Sequence, residues 1–550
     1  MAKPQEPLEM AANEPLQFLG ALMAALLYNT PLTISLLLFF LLCTHYFLVR
    51  RKHGGMNALP PTPGISIPLI GHLHLLRSIP HISLRRLSRK HGPLIRLNLG
   101  QFTTIVASSP EIAAEILKTQ DTHFCSRPSL TTTSRYSYGG RDITFCPYNH
   151  HWMRLRRLAR THIFSPSRVQ SFRSIREQEV EAMVKAISNL QSASSVNMRH
   201  AVTCLFNNIM FREVFGKRPT AAGGDGEHSG MMRSRYHELI AEVTCLMGVF
   251  FLGDLFPSLA WVDVIRGWRG KLDRSFRALD AVLEQEIAEG LLKQRKRQLE
   301  ATPSEEQEEE EDYCFLDVLL RHLTDDDQNE KSDSVGLQLN TVEAKALLMD
   351  MFLAGTDTSA SVLEWTMTNL MRNPEVMRTA QEEVRQVAEH KENVKESDLH
   401  NLRYLKMVIM ETLRLHPPAP LLIHRECMKD AIVEGYRIPA KARILVNAWA
   451  IMRDPNYWDD PEAFKPERFE GSPINYLGNY FHYIPFGAGR RICPGMGLGI
   501  ISVELALANF LYSFNWDLPA GMRRENVSLE EGFGLISYRK DPLLLVPIAA

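Results

Sequence analysis

The sequence predicts a mainly α fold with small β-sheets: one large globular domain behind an N-terminal transmembrane helix. Three observations carry this expectation. Residues 31–49, "PLTISLLLFFLLCTHYFLV", are almost unbroken apolar sequence of spanning length. From Pro110 onward, apolar residues recur at helical spacing in long runs near 173–190, 230–247, 270–298, 341–372 and 374–389. Strand-like stretches are short and few. With 550 residues and 45% apolar content the chain is ample for a large core, and neither a repeat nor a linker divides residues 60 to 550.

Taken in order, residues 1–30 read as an N-terminal extension, 31–50 as the anchor, 51–72 as a basic stop and proline-rich hinge, and 73–550 as the globular domain. Arg50, Arg51 and Lys52 follow the anchor, whereas Glu6, Glu9 and Glu14 precede it with Lys3 as the lone cation. The positive-inside rule then puts everything after residue 50 in the cytosol. A cleaved signal peptide would carry its cations ahead of the apolar core. A second apolar run, Leu16 to Leu27, is set apart by Tyr28 to Pro31, and the sequon Asn526-Val527-Ser528 should stay unmodified in a cytosolic body. "LPPTPGISIPLIGH", Leu59 to His72, reads as a stiff spacer, because proline fixes φ and favours extended neighbours.

"LIRLNLGQFTTIVASS" alternates around Gly100 like a strand hairpin, and "IVEGYRIP" and "ARILVNAW" are strand-like pieces after residue 430. The acidic runs 304–312 and 324–333 read as solvated surface loops, with "YCFLDVLLRHL" a short amphipathic helix between them. Sixty-two basic residues balance sixty-three acidic ones, so no global field calls for nucleic acid.

The eight cysteines form no CxxC pair and are too scattered for a disulfide framework, which suits a reducing compartment. One of them, Cys493, stands in the loop "FGAGRRICPG", Phe486 to Gly495. Zinc would need further ligands at finger spacing, and an iron–sulfur cluster more cysteines. A nucleophile would want a neighbouring base. The axial ligand of a haem iron needs a single thiolate. Gly489 and Gly495 let backbone N–H groups approach the sulfur, and Arg490 and Arg491 favour its charge. The apolar helix that follows, "MGLGIISVELALANFLYSF", can pack on a porphyrin.

The pattern F-x-x-G-x-R-x-C-x-G places Phe486, Gly489, Arg491, Cys493 and Gly495, and a chance match in a chain of this size is about 10⁻⁴ on average residue usage. Over roughly residues 60 to 545 the chain resembles a cytochrome P450, a haem-thiolate monooxygenase. "PERF", "AGTDT" and the PPTPG hinge look like its plant A-type microsomal branch.

The resemblance implies roles for further residues. Glu411 and Arg414 of "ETLRLHPP", with Arg468 of "PERF", would form a structural triad on the haem side. Glu375/Arg378, Glu382/Arg385 and Glu434/Arg437 share the Glu-x-x-Arg spacing and read as surface pairs. In "LAGTDTS", Gly355 and two threonines in mid-helix cost stability and can open the helix locally. By resemblance, Thr358 is the alcohol and Asp357 the acid that relay protons for dioxygen splitting. Trp152 and Arg156 of "HWMRLRRLAR", with Arg491 and Arg425, would bind the cofactor, the arginines through its propionates, with Phe486 of the cysteine loop beside them.

The implied cofactor is haem b held by Cys493, with O2 and NADPH-derived electrons as co-substrates. The implied partners are the NADPH–cytochrome P450 reductase and cytochrome b5, because no GxGxxG nucleotide module is present. The implied place is the endoplasmic reticulum membrane, single-pass, with the domain on the cytosolic face. Substrates would be phenylpropanoids, flavonoids or terpenoids. They would be lined by Tyr136 to Thr144, the helix face before Ala354, Ala419 to Ile423, and Phe533 to Leu535. A haem-thiolate isomerase or dehydratase without a reductase is a competing reading, and the intact Asp357–Thr358 pair speaks against it. A non-catalytic haem-binding membrane protein is another.

Overall fold

The computed structural model describes residues 58–190, 194–219, 231, 234–300, 314–323, 338–532 and 534–550. The apolar runs 16–27 and 31–49, the basic stop, both acidic runs and Phe533 lie outside the described residues. Leu59–Ala550 makes up a single globular unit.

Among the described residues the helices of eight or more residues are α1 (Pro80–His91), α2 (His150–Leu158), α3 (Arg173–Ser188), α4 (Met198–Phe215), α5 (Arg235–Met247), α6 (Trp268–Glu300), α7 (Thr341–Gly355), α8 (Asp357–Arg372), α9 (Pro374–Val387), α10 (Arg403–Leu415) and α11 (Met496–Ser513). Local chemistry sets their starts. Asn340 caps α7 by accepting the Glu343 N–H at 2.8 Å while the Glu343 carboxylate accepts the Asn340 N–H at 3.0 Å. Asn149 caps α2 by accepting the Trp152 N–H at 2.8 Å. Proline opens α1 and α9, where its missing N–H costs nothing.

Strands β1 (Leu94–Leu99), β2 (Phe102–Ala107), β4 (Arg425–Glu426) and β7 (Arg443–Val446) form a sheet in the order β1-β2-β7-β4. The hairpin expected at residues 94–107 is present, and β2 pairs parallel to β7. Strands β3 (Val196–Asn197), β8 (Phe514–Asp517) and β9 (Leu544–Ala549) form a second sheet, and β5 (Ala431–Val433) pairs with β6 (Tyr436–Ile438).

The largest core gathers α4, α8, α10 and α11, whose inward residues include Phe206, Leu363, Val408 and Phe510. Helix α11 is long and apolar enough to cross a membrane, yet most of it is buried in this core. That is the ordinary fate of an apolar helix inside a large domain.

Three sequence expectations change. The run 341–372 is two helices, because the chain breaks at Thr356 (φ −84°, ψ −66°). The Thr358 hydroxyl donates to the Ala354 carbonyl at 2.5 Å and the Ser359 hydroxyl to Gly355 at 3.1 Å, so side chains take carbonyls at the break. Secondly, the proline-rich spacer is docked on the globule: Arg96 N–H donates to the Pro61 carbonyl at 2.9 Å and His72 N–H to Asn98 at 2.7 Å. Thirdly, of the surface pairs named from spacing, Glu375/Arg378 forms at 2.9 Å. Glu382 instead meets Arg378 one turn back at 2.8 Å, and Arg385 donates to Asn515 at 2.9 Å. Arg437 donates to Asp430 at 2.9 Å, because Glu434 sits at φ +50° in the β5–β6 turn, where a three-residue spacing does not share a face.

Candidate active site

The cysteine loop is tightly held. Cys493 N–H donates to the Phe486 carbonyl at 3.1 Å, and the Gly495 N–H points to the sulfur. Burial pushes the thiol up, while the Gly495 N–H and the Arg156 guanidinium favour the thiolate. Gly489 has φ +70°, and a Cβ there would collide with the Leu117 carbonyl and touch Asp121. Asp121, buried and not singled out by any motif, ties this loop down: it accepts the Arg490 N–H at 3.0 Å and Arg425 Nη1 at 2.7 Å.

A cavity of about 1750 Å³ of atom-free space, part of it open to solvent, spans the gap between this loop and α7–α8. Cys493, Phe486, Arg491, Arg156, Arg425 and Thr358 all line it, contributed by four separate segments. Two predicted residues stand off the wall. Trp152 lies behind Arg491, whose guanidinium sits 4.1 Å over its ring, and its indole N–H donates to the Ile143 carbonyl at 2.9 Å. Asp357 is buried and turned toward α5, where it accepts the Thr244 hydroxyl; the Tyr538 hydroxyl donates to its carbonyl at 3.1 Å. Burial raises the Asp357 carboxyl above the usual range, against the pull of the Thr244 bond.

Of the expected lining, Ile143, Thr144, Ala354, Ala419, Leu422 and Ile423 reach the cavity. Tyr136 and Tyr138 do not: their hydroxyls donate to Ser275 at 3.2 Å and Asp280 at 2.6 Å on α6. Leu535 is exposed, and Gly534 packs against Gly248 at the end of α5.

Arg127 is a cavity residue that motif reading missed. Its guanidinium donates to the carbonyls of Thr144 at 2.9 Å, Ile423 at 2.7 Å and His424 at 2.8 Å. Arg491 donates to those of Cys125 at 2.8 Å, Ile143 at 3.2 Å and Cys146 at 2.6 Å. Arg156 donates to the Ile492 carbonyl. Burial pushes Arg491 down to about 10 and holds Arg127 well below its ordinary value, and these neighbouring cations depress Arg127 further. Four guanidiniums, those of Arg127, Arg425 and Arg491 buried and that of Arg156 half-buried, therefore line one cavity, and Asp121 pairs directly with only Arg425 among them. One soft sulfur ligand with an under-neutralised cationic wall fits haem, which offers one iron to the sulfur and two carboxylates to arginine.

Behind the loop, Glu411 and Arg414 are completely shielded and meet at 2.7 Å, with Arg468 on the same carboxylate at 3.0 Å. Arg414 also donates to the carbonyls of Met452, Pro461 and Ala463, stitching α10 to the segment before the cysteine.

Residues 60–544 match the family model described as Cytochrome P450. Cytochrome P450 71A1 of Persea americana is 45% identical over 86% of this chain and 91% of its own length. Premnaspirodiene oxygenase of Hyoscyamus muticus is 40% identical over 93% and 97%, and germacrene A hydroxylase of Barnadesia spinosa 39% over 95% and 97%. A zebra fish cytochrome P450 solved with abiraterone shares the fold at TM-score 0.69 and 23% identity, covering 86% of this chain and 100% of that one. The chain belongs to the cytochrome P450 family of haem-thiolate monooxygenases.

Proposed function

We propose that this protein is a membrane-anchored monooxygenase of specialised metabolism that hydroxylates a small hydrophobic terpenoid or aromatic body. One atom of O2 enters a C–H bond, the other leaves as water, and NADPH supplies the two electrons through a separate reductase, with cytochrome b5 as an auxiliary donor. The observation that carries the reading is that Cys493 and Thr358, far apart in sequence, line one apolar cavity. When bound there, haem supplies the redox iron at which dioxygen is activated. Cys493 would hold the iron, and Arg127, Arg156, Arg425 and Arg491 the acidic tails. Phe486 and Leu498 wall the sulfur side.

The chain's own contribution to the chemistry is proton handling and exclusion of water. Thr358 Oγ1 keeps its proton on the Ala354 carbonyl at the helix break, facing the cavity. Asp357, raised by burial and accepting the Thr244 hydroxyl, would be the acid that resupplies that proton. The cavity is also lined by Phe206, Leu347, Met351, Ala354, Leu422 and Ile423, whose side chains offer a hydrocarbon body contact without hydrogen bonds. That wall suits terpenoids, the bodies named for premnaspirodiene oxygenase, germacrene A hydroxylase and costunolide synthase among its relatives.

The anchor reading, and with it the endoplasmic reticulum, draws support from an apolar surface. Ile65 and Leu69 are about four-fifths exposed, and Trp261, Val264 and Ile265 more than half. The two groups are linked through the β1–β2 hairpin: Gly71 bridges Leu99, and Gln101 N–H donates to Leu255 at 3.0 Å, beside the 260–265 helix. Such a surface suits a globule resting on the bilayer next to its anchor.

The test is expression in microsomes with a plant reductase. The reduced CO difference spectrum should show the thiolate-type Soret band, and Cys493→Ser should lose it. Thr358→Ala should consume NADPH with severalfold less product. Binding spectra against terpenes and phenolics then choose the substrate class; shifts with phenolics alone would overturn the terpenoid preference.

A further inference from the structure

We infer that Asp142 and Asp350 form a proton-sharing carboxyl pair that positions the Arg127 and Arg491 guanidiniums through the loop 142–146. Asp350 stands on α7, one turn before Ala354 and two before Thr358, and lines the cavity; Asp142 is almost wholly buried. Asp350 Oδ2 accepts the N–H of Ile143 at 2.8 Å and of Thr144 at 3.2 Å. Asp142 Oδ2 accepts the Phe145 N–H at 3.0 Å.

The remaining oxygen, Asp142 Oδ1, is buried and has no donor to accept from among the described residues, while Asp350 Oδ2 sits on the amide of the next residue, which makes the two carboxyls neighbours. Two buried carboxylates in contact cannot both be ionised, so one proton sits between them. Asp142 is its holder: two amides on Oδ2 favour a charged Asp350, whereas Asp142 Oδ1 receives no donor among the described residues, and burial and the Asp350 charge push the Asp142 carboxyl up. The charged groups facing the pair are Arg127 and Arg491 beside Asp142, and Arg156 toward Asp350. The Cys146 thiol next to both is pushed up to about 12 and stays neutral.

The loop transmits this arrangement. Asp350 takes the amides of Ile143 and Thr144, which turns their carbonyls the other way. The Ile143 carbonyl receives Trp152 Nε1 and Arg491 Nη1, and the Thr144 carbonyl receives Arg127 Nε. Two of the four guanidiniums on the cavity wall thus take their aim from one carboxyl on α7. Asp142 and Asp350 are positioning residues: they act on the cofactor through Arg127 and Arg491, and this inference rests on the reading that those guanidiniums hold the acidic tails.

The experiment measures haem transfer from the full-length protein to a scavenging apo-globin across pH, together with amide exchange of residues 143–144 in the haem-free chain. In the parent protein, release should quicken as pH rises and the shared proton leaves. Asp142→Asn puts a non-titrating donor in the same place and should flatten that response. Asp350→Ala should free the loop amides and quicken release about tenfold or more at every pH. Should it fail to fold, Asp350→Asn moves the single charge onto the loop and should also quicken release. An Asp142→Asn protein with the parent's pH response, or Asp350 variants that release haem at the parent's rate with protected amides, overturns the pair. A parent protein without the thiolate CO band sinks the cofactor reading instead, and amide exchange in the haem-free chain still decides the pair.

Discussion

At the scale of single residues, burial separates side chains that look alike in sequence. Glu411/Arg414 and Glu375/Arg378 have the same spacing and nearly the same length, 2.7 and 2.9 Å. The first pair is fully shielded and carries Arg468 and three carbonyls besides; the second stands in solvent. Removing one partner of a buried pair strands a charge away from water, at about 3–5 kcal/mol. Glu411→Ala, which leaves Arg414 and Arg468 facing no carboxylate, should therefore abolish recovery of haem-loaded protein or lower its thermal transition steeply. Glu375→Ala should leave the transition where it is, because a solvated pair is worth little. Thermal unfolding of both variants side by side checks the contrast, and equal effects would refute it.

At the scale of elements, two glycines separate a rigid neighbour from a yielding one. At Gly489 an added methyl meets the Leu117 carbonyl, which is backbone, and the residue holds φ +70°. Gly489→Ala should then displace the loop that carries Cys493, costing at least the 1–3 kcal/mol of a strained non-glycine position. At Gly355, just before the α7–α8 break, the methyl meets the end of the Met210 side chain. Methionine can swing aside, so Gly355→Ala should fold and load haem, with its effect confined to coupling of NADPH use to product. CO spectra and product-to-NADPH ratios for the two variants separate these outcomes. A Gly355→Ala protein as damaged as Gly489→Ala would mean that the α4–α7 contact is as rigid as the loop.

For the whole molecule, two buried histidines should contribute a loss of stability on the acid side. Burial holds His416 down to about 3 and His424 to about 4, against an ordinary value of 6.5. Below pH 6.5 these two histidines take up protons in the unfolded chain that they refuse in the folded one, so their contribution is level above that pH and drains away toward pH 4 and below, while the buried Glu213 and Glu504 carboxyls, raised to about 7, work the opposite way. His416 stacks flat on Trp365 at 3.9 Å, so its neutral ring is part of the packing. His416→Asn should lower stability at pH 8 yet shallow the slope between pH 6.5 and 4; an unchanged slope in a melting-temperature series would exclude the histidine as its source. The apolar surface makes a second prediction at this scale. A chain begun at Leu59 should still sediment with lipid vesicles, and a Trp261→Glu/Ile265→Lys variant of it should not. Equal sedimentation of both would remove the surface from the membrane reading.

Features set by near neighbours were legible in the sequence: the loop around Cys493, the helical weakness at Gly355–Thr358, the β1–β2 hairpin and the main helical runs, whereas the Glu411–Arg414 pair was singled out by the resemblance and not by its spacing. Each of the former depends on spacing within one element, which the chain's own geometry converts into proximity. Convergence was not legible. Asp121, Arg127, Thr244 and Asp350 carry no motif, and a lone charge such as the aspartate in "LLMDMFLAG" was the only hint of one. Trp152 and Asp357 sit in the expected helices but turn away from the cavity, toward Arg491 and Thr244. Which guanidiniums share a wall, and which carboxyls share a proton, depends on segments hundreds of residues apart being brought together. Only tertiary packing decided that, because burial and contact, not spacing, set the cost of each charge.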